Sequence, residues 1–110
     1  MSKYRWIYTT WPDVSVAQQA ARTLVGERLC ACANILPGMT SIYRWRGEVE
    51  TAQEAVMILK TTAQRAPALI ARLDALHPYE EACIIGLDID TAVSSPGFMA
   101  WIGNAVSDGD

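Results

Sequence analysis

Pro37-Gly38-Met39-Thr40-Ser41-Ile42-Tyr43-Arg44-Trp45-Arg46-Gly47-Glu48-Val49 is the stretch whose reading decides the fold. Pro37-Gly38 is a turn or bulge signal interrupting a segment, Cys32 to Leu36, that otherwise reads as strand. Alternation then returns. Ser41, Tyr43 and Trp45 share one face while Ile42, Arg44 and Arg46 share the other, since successive strand residues point to opposite sides. Gly47 marks a tight turn, and Val49 to Thr62 forms the returning arm of a long hairpin. In that arm Ala55-Val56-Met57-Ile58-Leu59 is apolar at every position. Such a run predicts a strand buried on both faces, or one with a face covered by another subunit.

Outward from the hairpin, Tyr4 to Thr10 is aromatic and β-branched and reads as a first strand, broken by Pro12-Asp13. Ser15 and Gln18 have capping-box spacing. Ala17, Ala20, Ala21, Leu24 and Val25 then recur at helical spacing, predicting an amphipathic helix that ends near Arg28 or Leu29. Beyond the hairpin, Pro67 suits a first helical turn, and Ala66, Leu69, Ile70, Leu73 and Leu76 form the apolar stripe of a second helix. Pro78 stops it. Cys83 to Asp90 alternates as a last strand. Ser95-Pro96 caps a short C-terminal helix with apolar members Phe98, Trp101, Ile102 and Ala105, and Ser107 to Asp110 is expected to fray. The order β-α-β-β-α-β predicts an α+β, ferredoxin-like sandwich, both main helices on one face of an antiparallel sheet, with an extended second hairpin and an added helix.

The 110 residues suit a single domain, residues 1–110. Apolar residues are 51% and charged residues 19%, which excludes a disordered chain and leaves few charges to cover the surface. A net charge of −3 argues against nucleic acid as a partner. No apolar run approaches the ~20 residues that cross a bilayer, and no signal peptide is evident, so no membrane partner and a cytoplasmic location are expected. Three cysteines, an odd number, fit a reducing compartment better than a disulfide framework.

Few residues carry chemistry. Cys30, Cys32 and Asn34 would share a face if all lay in the strand, and adjacent thiols suit a soft ion such as Cu(I); buried cysteines also serve as small hydrophobes. His77, the one histidine, stands at a helix end beside Pro78, Tyr79 and Glu80, as a ligand, an acid or base, or a packed cap. Lys60 ends an apolar run and could hold an anion or snorkel from a sheet edge. Tyr43 and Trp45 could line a pocket or form a subunit interface. Hydrolase and phosphate-loop motifs are absent, and Glu80-Glu81, adjacent in sequence, diverge too much for an acid/base pair. No enzymatic activity is expected.

Several segments together resemble the CutA family, the divalent-cation tolerance proteins. They are Thr10-Trp11-Pro12-Asp13, Glu27 to Ile35, Pro37 to Trp45, Lys60-Thr61 and His77-Pro78-Tyr79-Glu80, and the likeness runs from about Ile7 to Ile102. The resemblance implies a homotrimer of PII-like architecture, built by hairpins that extend one subunit's sheet into the next. It implies a non-enzymatic role in tolerance or binding of copper or another divalent cation, with none required for folding. His77, Cys83 and Cys32 are the expected metal ligands. Tyr43, Trp45, Lys60, Tyr79 and Glu80 are the expected lining of an inter-subunit cleft. The alternative is a PII-like signalling or scaffold trimer in which Lys60 and His77 hold a small anionic ligand. The chain departs from the family pattern where a carboxylate usual after His-Pro-Tyr-Glu is Cys83, a change toward softer metals. Cys30 stands where alanine is usual, Thr9 where some relatives carry cysteine, and Arg46 and Glu48 invert the charges common at the hairpin tip.

Overall fold

The structure, a computed structural model, describes residues 1–107; the rest of the tail expected to fray lies outside them. Its elements are β1 (Tyr4–Trp11), α1 (Val14–Gly26), β2 (Cys32–Trp45), β3 (Glu48–Thr62), α2 (Ala66–Leu76), β4 (Ile84–Asp88) and α3 (Pro96–Ala105). The sheet is antiparallel in the order β2-β3-β1-β4, so each of α1 and α2 carries the chain over one intervening strand, as the ferredoxin-like reading requires.

α1 is capped by Asp13, not by the expected Ser15–Gln18 box. Asp13 is extended (φ −161°) and its carboxylate accepts the Val16 N–H at 2.9 Å, which starts the helix at Val14 and puts Ser15 inside the first turn. The helix stops at Gly26, short of the expected end, because Arg28 turns left-handed (φ 60°). α2 opens with Pro67 in its first turn and ends at Leu76, where His77 takes the extended backbone that precedes proline. Ser95 caps α3 as expected. The stripe of α3 differs: Met99, Ile102 and the following Val106 are buried, while Phe98 and Trp101 face outward.

Strand alternation divides the sheet into unequal faces. Ile7, Thr9 and Trp11 of β1 and Ala55, Met57, Leu59 and Thr61 of β3 point toward α1 and α2, where Leu24, Leu69 and Leu73 close the core. Trp6, Tyr8 and Thr10 of β1, with Val56, Ile58 and Lys60 beside them on β3, occupy the opposite face. α3 covers only the Tyr4 and Ala31 end of that face. Exposed Trp6, Leu36, Ile85 and Leu87 mark the remainder.

β2 and β3 form the hairpin, which makes the molecule 46 Å long and only 28 and 22 Å in the other directions. Its ladder carries the expected irregularity at Pro37-Gly38: Leu36 pairs with Val56 but Met39 with Glu54, so β2 has one residue more than β3 between these pairs. Gly38 absorbs the bulge at φ +73°, where a side chain would be strained. Before the bulge the even residues of β2 lie on the open face; after it Met39, Ser41, Tyr43 and Trp45 do. At the tip Arg46 (φ 51°) and Gly47 (φ 84°) make a two-residue turn of the primed kind that matches strand twist.

Replacing Asp13 by alanine removes the α1 cap and is expected to lower stability by about 1 kcal/mol, with an unchanged m-value in urea unfolding. Ser15→Ala, the same truncation at the box that does not form, is expected to change stability by less than about 0.5 kcal/mol.

Candidate functional site

A cleft of ≈ 710 Å³ lies between the open-face side of the hairpin and the 78–83 loop. β1 supplies its floor with Tyr8 and Thr10, the hairpin one wall with Tyr43, Trp45 and Glu54, and the loop the other with Tyr79, Glu80, Glu81 and Cys83. The bulge puts Tyr43 and Trp45 there: the register places Met39 opposite Glu54 and carries the same face outward to Tyr43 and Trp45. Tyr8 Oη meets Met39 Sδ at 3.6 Å beneath them.

The loop wall is fixed by His77, which is buried behind it at 8% exposure. The Tyr79 backbone N–H donates to His77 Nδ1 at 3.2 Å, which leaves the ring proton on Nε2, and Nε2–H donates to the Thr10 carbonyl at 2.7 Å. Trp11 stacks on the imidazole with ring centroids 4.1 Å apart, and Trp11 Nε1–H donates to Thr9 Oγ1 at 2.6 Å. Both ring nitrogens are thus occupied, and the histidine binds the end of α2 to the end of β1.

On the cleft side Tyr79 Oη donates to Glu54 Oε2 at 2.8 Å, tying loop to hairpin. Burial, the Glu54 hydrogen bond and nearby carboxylate charge, in that order, push the Tyr79 phenol well above its usual range, so it remains a donor. A second tie joins Arg46 Nη2 to Glu80 Oε2 at 3.3 Å across the mouth, and the Arg46 guanidinium also lies over the Trp45 ring, 5.4 Å from its centroid. The lining includes three carboxylates and one thiol and no lysine or arginine.

Of the residues singled out in the sequence, the cleft gathers Tyr43, Trp45, Tyr79, Glu80 and Cys83. Lys60 is elsewhere on the open face, its ammonium 5.5 Å from the Trp6 ring centroid and 5.3 Å from that of Phe98. Cys32 pairs with Lys60 in the same row as Trp6, while Cys83 adjoins the Ile84–Thr9 pair. Along the strand direction alone the rows of Trp6 and Thr9 are about 10 Å apart. His77, Cys83 and Cys32 therefore do not converge. Among the described residues no three His, Cys, Asp or Glu side chains are grouped to hold a metal ion, so a single chain does not supply a complete site. Glu54 joined the site without having been singled out, and Glu81 had been weighed only as an acid/base partner of Glu80; the alternation of β3, which puts Glu54 on the face of Val56 and Ile58, is the signal that leads to Glu54.

Cys30 and Cys32 do not share a face, because Cys30 precedes β2 and turns into the core between α1 and the sheet. Burial, with a smaller contribution from Cys32, pushes the Cys30 thiol up to about 12. Burial also raises the Cys32 thiol, against the opposing charge of Lys60. Alkylation by iodoacetamide at pH 8 is expected to leave Cys30 unmodified until the protein unfolds, which peptide mass spectrometry would reveal. Because His77→Ala strands the Thr10 carbonyl and the Tyr79 N–H, it is expected to destabilise the fold by about 2–4 kcal/mol in urea unfolding.

The family of CutA1 divalent ion tolerance proteins matches residues 5–105. The divalent-cation tolerance protein CutA of Thermus thermophilus is 45% identical over 96 residues, covering 87% of this chain and 91% of that one. The crystal structure of CutA from Xylella fastidiosa superposes with a TM-score of 0.91 at 40% identity, covering 96% of this chain and 100% of that chain. A PII-like protein CutA from Nostoc sp. PCC 7120, in apo form, gives 0.87 at 29% identity, covering 94% and 97%. Against the mammalian proteins named CutA, from mouse and human, the chain spans about half of their length (52%). With its ferredoxin-like sheet, its bulged hairpin and these likenesses, the chain belongs to the CutA1 divalent ion tolerance family.

Proposed function

We propose that the protein is a non-enzymatic homotrimer that binds divalent cations, copper among them, in its acidic cleft in the cytoplasm. The observation that carries this reading is the charge of the cleft: Glu54, Glu80 and Glu81 line it together with Cys83, and no cationic side chain does. Such a lining attracts cations and repels anions. Borderline-soft ions accept thiolate with carboxylate, which makes Cys83 the preferred first ligand. One chain leaves the ligand set incomplete, so a neighbouring copy completes it. Cys32 and Lys60 belong to the sheet face and His77 to the wall; His77 becomes a ligand only by releasing Thr10 or Tyr79.

Assembly is supported by the open face, where Trp6, Leu36, Ile85 and Leu87 remain exposed on a sheet that lacks a second layer there. An apolar face of this kind is the usual core of an obligate interface. The free cysteines accord with a reducing cytoplasm. A small anionic ligand is less well served, since Lys60 lies between two aromatic rings and outside the cleft.

Light scattering at micromolar concentration is expected to give roughly three times the 12.1 kDa chain mass; a monomer would refute the assembly. In competition with chromophoric chelators, Cu(I) under reducing conditions is expected to bind stoichiometrically, and Cys83→Ser to weaken it by at least ~10-fold. Unchanged affinity in that variant would remove Cys83 from the site.

A further inference from the structure

The contacts at the cleft mouth are of the kind that recognise a particular organic cation, and reading them does not depend on metal binding. A guanidinium is planar, weakly hydrated and edged with donors, so it stacks on an aromatic face while its rim donates to a carboxylate. Trp45 and Glu80 present that pair, and the Arg46 guanidinium already uses both, 5.4 Å from the ring centroid and 3.3 Å from Oε2. Arg46 and Glu80 are nonetheless 73% and 79% exposed, so their ion pair is held weakly and is readily exchanged. Arg46 is not among the lining residues, and the ≈ 710 Å³ behind it is far more than its side chain could fill. Deeper in, Tyr8, Tyr43 and Tyr79 add aromatic surface, and Glu54 is held in place by the Tyr79 hydroxyl as a second anionic anchor. Aromatic walls with carboxylates, and no lysine or arginine among the lining residues, suit a cationic ligand with a thin apolar stem.

We infer that the cleft binds a small guanidinium compound, its planar face on Trp45 and its N–H edge on Glu80, and that Arg46 is a tethered competitor for those contacts. The ligand displaces Arg46 and loosens the tie between the hairpin tip and the 78–83 loop. The same chemistry could be offered by a free metabolite or by an arginine side chain of another polypeptide, and the two are separable by experiment.

The test is a titration of the full chain, in chelator and at constant ionic strength, with agmatine as the free guanidine and N-acetyl-arginine amide as the peptide-like one. Cadaverine, an organic dication without the guanidinium plane, is the control. Tryptophan fluorescence reports Trp45, and ligand-observed NMR reports binding independently. Saturable binding of agmatine is expected, with cadaverine weaker by about threefold or more. Arg46→Ala is expected to tighten binding about two- to fivefold, and Glu80→Gln to weaken it by at least as much. Trp45→Phe should remove the fluorescence change while Trp6, Trp11 and Trp101 still report an intact fold. Binding of the peptide-like probe alone would support the guanidinium site and assign it to a polypeptide. Equal binding of cadaverine, absence of saturation with either guanidine, or an Arg46→Ala variant that binds no more tightly would overturn the proposal. With metal excluded throughout, none of these failures bears on the copper titration.

Discussion

The alternation of side chains along β3 is the constraint on which the rest of the structure depends. This strand is paired with β1 along one edge and β2 along the other, so its odd and even residues are committed to opposite faces without freedom to slip. Met57, Leu59 and Thr61 are thereby assigned to the helices, and Glu54, Val56, Ile58 and Lys60 to the bare side. The neighbouring strands inherit the division through the ladder. A core, an uncovered apolar sheet and a carboxylate beside the cleft all follow from one strand's parity.

Much of this was legible in the sequence, and the parts that were not have identifiable physical causes. Periodicity located every strand and the three main helices, because burial on one side leaves a period of two or of 3.6. It misplaced the α1 cap, since Asp13 and Ser15 are both competent acceptors and only the backbone angle at Asp13 decides between them. It also assigned Phe98 and Trp101 to the buried stripe of α3. That helix meets the sheet at one end of a face, so it buries a narrower strip than its composition suggests. Within the site, the hairpin aromatics and the Tyr79 to Cys83 segment converge as their flanking elements imply. Lys60, Cys32 and His77 do not join them, for two reasons: Lys60 and Cys32 share a row too far along the sheet, and His77 lies inside the wall. Resemblance supplies motif residues, but a motif residue can serve the wall of a site instead of its surface.

His77 illustrates that distinction. Its ring satisfies a carbonyl at the end of β1 in a buried hydrogen bond and an amide in the loop after α2 in a part-buried one. The stacking of Trp11 excludes water from the same junction. The loop that carries Tyr79, Glu80, Glu81 and Cys83 is therefore presented by a rigid support although it has no regular structure of its own. The cleft gains a defined shape on one side from this histidine and on the other from the hairpin ladder.

The extra residue at Pro37-Gly38 has a consequence for how the chain can change by insertion and deletion. Pro37 and Gly38 stand opposite Ala55 alone, so loss of a single residue there would leave Met39 opposite Glu54 and the outer ladder in its present register. Tyr43 and Trp45 would keep their face, and the carboxylates of β3 and of the 78–83 loop would stay where they are. What such a deletion would remove is the local kink and added twist that a bulge gives its strand, and with them the direction in which the outer hairpin leaves the sheet. The bulge therefore sets the aim of the arm, while the alternation of β3 sets which residues the arm presents.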